Sequence, residues 1–270
     1  MCLVEKYGQG SLLNSLKNCD VNSKISIITV NYNSGKDIAR TFESIKSQKC
    51  KNFEYVVIDG NSNDLSADVI EQNKDIISKL IIEDDNGIYD AMNKGIRVSS
   101  GEWLLFLNSG DTLDSEVVIM ELIQTISKKG QSVHIGGFYS DTKIKGVNGK
   151  DSIQYAKEFN RLNLLIYGTR MVCHQSVIYR KEALSSYSLS YVLKGELDSY
   201  LKLLSDGYRF EYFPRVISNF YLGGRNNHHF LLNAREAFGV FFKHFNILAL
   251  LALPNILYRL IRNIVTIDIS

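Results

Sequence analysis

The sequence predicts an α/β fold, in which a mostly parallel sheet carries helices on both faces. Short uninterrupted apolar runs alternate four times with amphipathic stretches in the first half of the 270-residue chain, which is typical of buried parallel strands and their covering helices. Polar clusters follow three of these runs, at Asn31–Asn33, Asp59–Gly60 and Asn108–Asp111. Because ligands bind beyond the carboxyl ends of such strands, the clusters predict a site at one edge of the sheet.

Each apolar run and each amphipathic stretch predicts one element. In the first half we expect strands at 25–30, 55–58, 79–82 and 103–107, and helices at 36–48, 67–77, 88–98 and 116–127. In the less regular second half we expect strands at 133–139, 146–155, 176–179, 208–212 and 216–221, and helices at 196–205 and 228–244. The expected organisation is an N-terminal extension over 1–23, one domain over 24–240 and amphipathic helices over 241–270.

Composition and charge exclude several classes of protein. Hydrophobic residues make up 45% and charged residues 22%, the balance of a folded globular chain. A formal net charge of +2 leaves no general field for nucleic acid, so we expect no nucleic-acid partner. The cysteines are scattered without metal-site spacing, which favours reduced thiols in a cytoplasmic protein. No secretory signal is visible, and the longest nearly uncharged stretch, 245–258, is shorter than the roughly 18–20 residues that span a bilayer.

Asp59 and Asp111 stand beside glycines at predicted strand ends. A carboxylate there can accept hydrogen bonds from a base or a sugar, or ligate Mg²⁺ or Mn²⁺. Asp and Gly also make ordinary turns after strands, but three polar clusters at one edge favour a ligand site. The sequence contains no P-loop, no dinucleotide fingerprint after a strand and no nucleophile elbow, which disfavours the sites that those motifs form.

Four segments in register resemble the family 2 glycosyltransferases with the GT-A fold, and in particular their bacterial polysaccharide branch. They are residues 25–33, 57–64, 83–96 and 101–111. Weaker matches continue at 174–175, 195–198 and 223–224, so the resemblance covers most of residues 25–245. It implies transfer of a hexosyl or N-acetylhexosaminyl group from a nucleotide-sugar donor.

The resemblance assigns donor-binding roles to seven residues, which are Thr29, Asn31, Asn33, Asp59, Asp90, Asn93 and Asn108. It implies that the first three line the base and the ribose. Asp59 would accept a hydrogen bond from the base, typically uracil, which favours a UDP-sugar. Asp90 and Asn93 would face the diphosphate and the donor sugar.

By the same resemblance, Asp111 is the remaining carboxylate of the family's Asp-x-Asp metal motif. It would hold Mn²⁺ or Mg²⁺ against the diphosphate, whose negative charge the cation neutralises as the nucleotide leaves. The related pattern Asn-Ser-Asp-Asp becomes Asn108-Ser109-Gly110-Asp111 here, so Gly110 replaces one carboxylate. Asp111 would then hold the cation together with diphosphate oxygens and water.

Family members of this type invert the anomeric centre, and a carboxylate takes the proton from the acceptor hydroxyl as it attacks C1 of the donor sugar. The matching position is Glu196, with Asp198 held in reserve; Glu196 could instead only complement a helix N-terminus. His174 could orient the acceptor or the base, or be a structural histidine. Arg225 follows a pair of glycines that resembles a closing loop, and it could contact the diphosphate or lie in solvent.

The segment Phe241–Val265 is rich in apolar residues, with Lys243, His244, Arg259 and Arg262 interspersed. It fits a helical hairpin packed on the core, or an interfacial anchor with its basic residues on lipid phosphates. We favour the anchor, and with it a lipid-linked glycan acceptor and peripheral contact with the inner face of the plasma membrane. The expected role is cell-surface polysaccharide synthesis.

Two other functions stand beside this one. A sugar nucleotidyltransferase carries a Gly-rich, Arg-containing loop after its first strand, whereas this chain has Asn31–Lys36 there, which disfavours that class. A degenerate nucleotide-binding or membrane-bound interaction module is the second. Gly110 and Glu196, both departures from the family pattern, motivate it.

Overall fold

The computed structural model describes residues 24–146, 149–222, 230–254 and 256–258. The expected N-terminal extension lies outside the described residues, as do Arg225 with the two preceding glycines and the segment that carries Arg259 and Arg262.

The strands alternate with helices through the first half, as the sequence predicts. In chain order they are β1 (Ile25–Asn31), β2 (Phe53–Asp59), β3 (Lys79–Ile82), β4 (Trp103–Phe106), β5 (Thr112–Leu113), β6 (Ile135–Tyr139), β7 (Thr142–Lys145), β8 (Ser152–Gln154), β9 (Val177–Arg180), β10 (Arg209–Tyr212) and β11 (Ser218–Tyr221). The central sheet has the order β10-β6-β9-β4-β1-β2-β3. Its neighbours pair in parallel except at β9, which is antiparallel to both β4 and β6. The prediction of a mostly parallel sheet is confirmed.

Helices cover both faces of this sheet. They are α1 (Gly35–Lys46), α2 (Ser66–Glu71), α3 (Ile88–Val98), α4 (Val118–Lys129), α5 (Arg161–Tyr167), α6 (Gly195–Ser205) and α7 (Phe230–Phe245). Alternate residues of a strand point to opposite faces, so Ile28 and Val30 pack with α3 while Ile25 and Ile27 pack with α1 and α4. Every residue of β1 is buried, and apolar burial on both faces holds the strand at the centre of the molecule.

A smaller sheet has the order β5-β11-β7-β8. Its strand β11 runs antiparallel to β5 and parallel to β7. This pairing brings the end of β11 beside Asp111, which follows β4. The second half of the chain therefore closes over the carboxyl edge of the central sheet.

Three local predictions differ from the structure. The helix predicted at 67–77 is wrong in its length, because α2 ends at Glu71 and a separate 3₁₀ turn, Lys74–Ile76, follows. At the break, the Asn73 side chain donates to the carbonyl of Val69 at 2.7 Å, the acceptor that a continued helix would give to the Asn73 backbone N–H. Of the strand predicted at 146–155, only β8 forms, and it pairs antiparallel with β7, a strand at 142–145 that the sequence does not predict; Gly149, ahead of β8, has a φ of +71°. The short elements α5 and β5 were not predicted.

The C-terminal segment packs on the core along one side. Helix α7 crosses the boundary expected at 240/241 and continues into a 3₁₀ segment, Asn246–Ala252. Val240, Phe241, Ala249 and Ala252 belong to the main core, whereas the residues between them are largely exposed. Over the described parts of the chain, no helix combines the length and apolar character that a membrane crossing requires.

Candidate active site

The carboxyl ends of β1 and β2 hold a closed network of polar side chains. Asn31 and Asp59 pair in register and are almost completely buried. Asn31 Nδ2 donates to Asp59 Oδ1 at 2.6 Å and to Ser66 Oγ at 2.9 Å. Asp59 also accepts from the Ser62 backbone N–H at 2.9 Å and from the Ser62 hydroxyl at 2.7 Å. The structure thus brings these two predicted base-binding residues together, and their side chains already hydrogen-bond to one another and to neighbouring serines. A ligand at this edge therefore meets polar groups that are fixed before it binds.

Thr29 and Asn33 belong to the same strand and the loop after it, but they face different surroundings. Thr29 is fully buried, and its hydroxyl donates to the carbonyl of Leu107 at 2.7 Å and accepts from Tyr55 at 3.0 Å. Contrary to its expected place at the nucleotide, Thr29 faces the core. Asn33 has a φ of +47°, which Asn tolerates better than most residues, and its Oδ1 accepts from the Asn63 backbone N–H at 2.8 Å. Asn33 therefore turns the chain at the rim of the edge.

Helix α3 carries the next pair of predicted donor residues. The Asn93 amide donates to the carbonyl of Tyr187 at 2.9 Å and accepts from the Tyr187 backbone N–H at 2.7 Å. Contrary to its expected place at the diphosphate, this amide clamps a loop of the second half onto α3. Asp90 accepts from the Asn86 backbone N–H at 3.0 Å and lies 3.7 Å from Lys94 Nζ, so it stays at the start of the helix near the sheet edge.

Asp111 lies at the boundary between the two halves of the molecule. Its Oδ1 accepts from the Tyr221 backbone N–H at 2.8 Å, and its Oδ2 accepts from Gln175 Nε2. Burial raises the pKa of Asp111 to about 6, although these hydrogen bonds and the charge of Arg40 oppose the shift. A carboxyl that is 5% exposed and held by two donors is well positioned but leaves little room for further protein ligands.

The residues present supply only part of a cation site. Among the described residues, no group of three or more His, Cys, Asp or Glu side chains converges on one point. Gly110 has a φ of +95°, and a Cβ there would lie 3.1 Å from Asp37 Cβ and from Arg40 Nη2, so a second carboxylate at this position is disfavoured as the chain is folded. Asp111 therefore fits a cation that arrives with its own diphosphate oxygens and waters, as Mg²⁺ commonly does.

Glu196 lies in the first turn of α6, and residues from three other segments surround it. Its Oε2 accepts a hydrogen bond from the hydroxyl of Tyr89 on α3. Its Oε1 lies 3.6 Å from His174 Nδ1. Asn108 Nδ2 lies 3.2 Å from His174 Nε2, and because an amide nitrogen only donates, Nε2 accepts and Nδ1 carries the ring hydrogen toward Glu196. Three predicted site residues thus converge here: Glu196, His174 and Asn108.

The histidine of this group, His174, is neutral near pH 7. Burial lowers the pKa of His174 and outweighs the opposing effect of the Glu196 charge. Asn108 Oδ1 is buried without a hydrogen-bond partner, so the amide is held by its Nδ2 and backbone contacts alone. A neutral His174 can accept or donate hydrogen bonds without adding a positive charge beside the carboxylate.

Asp198 faces away from this group. Its carboxylate accepts from Lys243 Nζ at 2.7 and 3.0 Å and lies 2.8 Å from His244 Nε2. Burial raises the pKa of Asp198, but the hydrogen bonds and charges of His244 and Lys243 lower it by more, so the net pKa is below the ordinary value. This ion pair joins α6 to α7, so Asp198 is a structural link. Lys243 and His244, two of the four basic residues expected on lipid phosphates, are bonded to Asp198.

A cavity of about 660 Å³ opens beside Glu196. Its wall includes Glu196, His174 and Cys173, two basic residues, Arg170 and Lys194, and an apolar side formed by Ile144, Val172, Leu193, Phe220 and Leu222. The volume is within the range of small-molecule sites. A group held in this cavity lies beside Glu196.

The sequence reasoning missed three residues of this site. Tyr89 lies inside a matching segment that gives it no role, and no pattern in the sequence indicates Arg170 or Lys194. Tyr89 and Glu196 are 107 positions apart, so no local spacing relates them. For Arg170 the available signal was only its proximity to the weak match at 174–175.

Residues 26–188 match the family model described as glycosyl transferase family 2. A PGL/p-HBAD biosynthesis glycosyltransferase of Mycobacterium bovis is 29% identical over 187 residues, which cover 67% of this chain and 70% of the relative. A putative glycosyltransferase of Bacillus subtilis, EpsH, is 24% identical over 199 residues, which cover 72% of this chain and 57% of the relative.

Two solved structures share the fold. S. aureus TarS 1–349, in complex with UDP, superposes with a TM-score of 0.62 at 18% identity, covering 87% of this chain and 71% of that one. The mannosyltransferase PcManGT from Pyrobaculum calidifontis, in complex with GDP-Man and Mn²⁺, superposes with a TM-score of 0.59 at 16% identity, covering 86% of this chain and 70% of that one.

Proposed function

This chain belongs to glycosyltransferase family 2 and has the GT-A fold, and from that premise we propose that it inverts the anomeric centre as it moves a sugar from a nucleotide donor to a glycan. The observation that carries this proposal is the placement of Glu196. Its carboxylate lines a cavity of about 660 Å³, and the neighbouring His174 connects it to Asn108, which follows β4 at the carboxyl edge of the sheet.

The proposed reaction is a direct displacement. The acceptor hydroxyl enters the cavity and gives its proton to Glu196 Oε1. The hydroxyl oxygen forms a bond with C1 of the donor sugar, and the bond between C1 and the diphosphate oxygen breaks with its electron pair on the nucleotide. His174, 3.6 Å from Oε1, is proposed to orient the carboxylate or the entering hydroxyl.

The donor is proposed to be a UDP-sugar bound along the edge formed by Asn31, Asn33 and Asp59. TarS, which shares the fold, has been solved in complex with UDP and with UDP-GlcNAc, and this supports a uridine nucleotide as the donor. Asp111 and Asp90 are proposed to face the diphosphate. A divalent cation bound there supplies positive charge to the departing diphosphate.

The acceptor is proposed to be a lipid-linked glycan at the inner face of the plasma membrane. The evidence is an apolar face formed by α5 and the 3₁₀ segment after α7, which pack against each other. Its exposed side chains are Leu162, Ile166, Ile247, Leu248, Leu250 and Leu251. Exposed Lys157 and Arg170 and half-buried Arg161 accompany α5 in the chain, and this pairing of apolar and cationic groups suits an anionic lipid surface.

The interaction module is the alternative that Gly110 still motivates, because the metal motif lacks one carboxylate. The two functions differ in a direct measurement. The enzyme releases UDP from at least one of UDP-glucose, UDP-galactose and UDP-N-acetylglucosamine in the presence of Mn²⁺, with water as the acceptor. The module binds UDP without releasing it from any of these donors.

The variant E196Q tests the base. We expect release of UDP to fall by about a thousand-fold, since general base catalysis contributes roughly 10²–10⁴-fold, while calorimetric binding of UDP stays unchanged. D198N tests the reserve base, and E43Q, which changes an exposed residue of α1, is the matched control. Loss of release in D198N with full release in E196Q would move the base to Asp198, and parent-like release in both would overturn the mechanism.

A further inference from the structure

Glu196 is held by the buried hydroxyl of Tyr89, a residue that is not part of the cavity wall. Tyr89 is 3% exposed, and its hydroxyl donates to Glu196 Oε2. Burial and then the negative charge of Glu196 raise the pKa of Tyr89 far above its ordinary value. The phenol therefore keeps its proton at any working pH and acts on the carboxylate as a permanent donor.

The ring of Tyr89 is fixed in place by its neighbours. A Cβ on Gly195 would lie 2.8 Å from Cζ of this ring and 2.9 Å from both Cε atoms, so the glycine before Glu196 leaves the space that the ring fills. The Tyr187 ring packs against the Tyr89 ring with a centroid distance of 5.5 Å. Asn93 clamps the Tyr187 backbone through two hydrogen bonds. Together these contacts leave the Tyr89 hydroxyl one position.

We propose that Tyr89 is a positioning residue that ties Glu196 Oε2 to the core and leaves Oε1 as the atom that receives the acceptor proton. The inference rests on the proposed role of Glu196 as the base. A carboxylate free to rotate presents either oxygen at varying angles to the cavity, whereas one oxygen fixed from behind presents the other at one angle. Such positioning lowers the barrier because less reorganisation accompanies proton transfer.

A second consequence concerns pH. A hydrogen bond to the ionised form of an acid favours that form, so loss of the Tyr89 hydroxyl is expected to change the pH dependence of the reaction. The other titratable groups on which the charge of Glu196 acts are His174, Cys173, Tyr179, Tyr187 and Tyr200, and Lys194 lines the same cavity. Burial lowers the pKa of His174 and raises those of Cys173 and the three tyrosines, so these five groups are neutral near pH 7.

The variant Y89F removes the hydroxyl and keeps the ring. In the UDP-release assay, with the UDP-sugar that the parent turns over fastest, we expect kcat to fall by about ten-fold, the lower end of what a hydrogen bond to a charged group supplies. The KM for the donor is expected to stay unchanged. The acidic limb of the pH–rate profile is expected to move to higher pH by about one unit, a change that a purely structural role of Tyr89 would not produce.

Two further variants make the result decisive. G195A displaces the ring without removing the hydroxyl, and it should lower kcat and move the acidic limb in the same direction. Y139F removes another buried phenol, whose oxygen accepts from the Phe159 backbone N–H at 3.3 Å, and it should leave the limb in place. If E196Q is inactive while Y89F follows the parent profile, the positioning role is wrong and the proposed function stands; if E196Q is active, both fall.

Discussion

The two halves of the molecule hold their polar side chains in different ways. In the first half, residues 25–113, the groups at the strand ends bond to one another, and Asn31, Asp59, Ser62 and Ser66 form a closed set. In the second half, Glu196 and His174 border a cavity of about 660 Å³. One oxygen of Glu196 is tied to Tyr89, and the other lies 3.6 Å from the His174 ring nitrogen Nδ1.

The difference suits the separate tasks proposed for the two halves. Side chains that are already fixed need no ordering when a nucleotide binds, so a closed network favours recognition of the donor. A base needs a lone pair available for the reacting proton, so its surroundings satisfy it only in part. Asp111 connects the two arrangements, because it follows β4 of the first half while Gln175 and Tyr221 of the second half hold its oxygens.

The largest effect on binding is therefore expected at Asp111. D111N removes the negative charge proposed to hold the cation against the diphosphate. We expect binding of UDP in the presence of Mn²⁺ to weaken by about 3 kcal/mol, or roughly a hundred-fold, since charge stabilisation by a bound cation is worth several kcal/mol. Calorimetric titration with UDP, with and without Mn²⁺, measures the difference.

D114N is the matched control for that experiment. Asp114 lies three positions further along the chain, and its carboxylate is 3.9 Å from Lys143 Nζ, outside the proposed donor site. We expect D114N to bind UDP as the parent does. The same dependence on Mn²⁺ in D111N and in the parent would contradict the assignment of the cation to Asp111.

The next effect concerns stability, and it is confined to the first half. Glu54 is paired in register with Ser26, at the amino end of the strands, about 16 Å from Asn31 along β1. Its carboxylate accepts from the Ser26 hydroxyl at 2.5 Å and the Ser100 backbone N–H at 2.6 Å, and lies 3.0 Å from Lys79 Nζ. Burial raises the pKa of Glu54, but these partners lower it more, to about 2.

A pKa below the ordinary value means that ionised Glu54 stabilises the folded state above about pH 4.5, and that this stability is lost as the pH falls through about 2. We expect E54Q to lower the free energy of unfolding at pH 7 by up to about 3 kcal/mol. Urea unfolding should show that the difference in the free energy of unfolding between E54Q and the parent is largest at pH 7 and becomes smaller as the pH is lowered. E43Q is the exposed control. A cost in E54Q that does not change with pH would show that Glu54 acts through packing alone, and slower UDP release per folded molecule would contradict the separation of the halves.

The first half was also the more predictable one, for a physical reason. Strands such as β1 and β4 are continuous apolar runs bounded by polar loops, and local sequence defines them. In the second half, α5 is a short helix whose start is signalled only by Asn160, which caps the backbone N–H of Asn163 at 2.8 Å. The site shows the same limit. Asn31 and Asp59 were expected together because they end adjacent strands, whereas the contact between Tyr89 and Glu196 joins positions 107 residues apart.

The resemblance to a family located motifs but not the direction in which each side chain points. Thr29 and Asn93 lie within matching segments. The Thr29 hydroxyl nevertheless donates to the carbonyl of Leu107, and the Asn93 amide donates to the carbonyl of Tyr187. Asp198 is the same case, because its partners Lys243 and His244 come from α7. Such partners are set by tertiary packing, which no spacing in the sequence encodes.

A smaller effect on binding tests whether the second half alone contacts the membrane. Leu248 and Leu251 are 56% and 65% exposed on the proposed lipid-facing surface. We expect L248E/L251E to weaken binding to vesicles of mixed phosphatidylglycerol and phosphatidylcholine by about 2 kcal/mol, or roughly thirty-fold, because burying a whole leucine side chain gains about 1.5–3 kcal/mol and each is here partly buried already. L65E changes an equally exposed leucine of the first half and should bind as the parent does.

Vesicle flotation measures the fraction of protein bound to vesicles. Analytical ultracentrifugation tests the alternative, in which a second copy of the chain covers this surface. A parent that floats with phosphatidylglycerol vesicles as a monomer supports the membrane contact, whereas a parent that dimerises through these leucines and does not float would overturn it and leave the apolar face as a subunit interface.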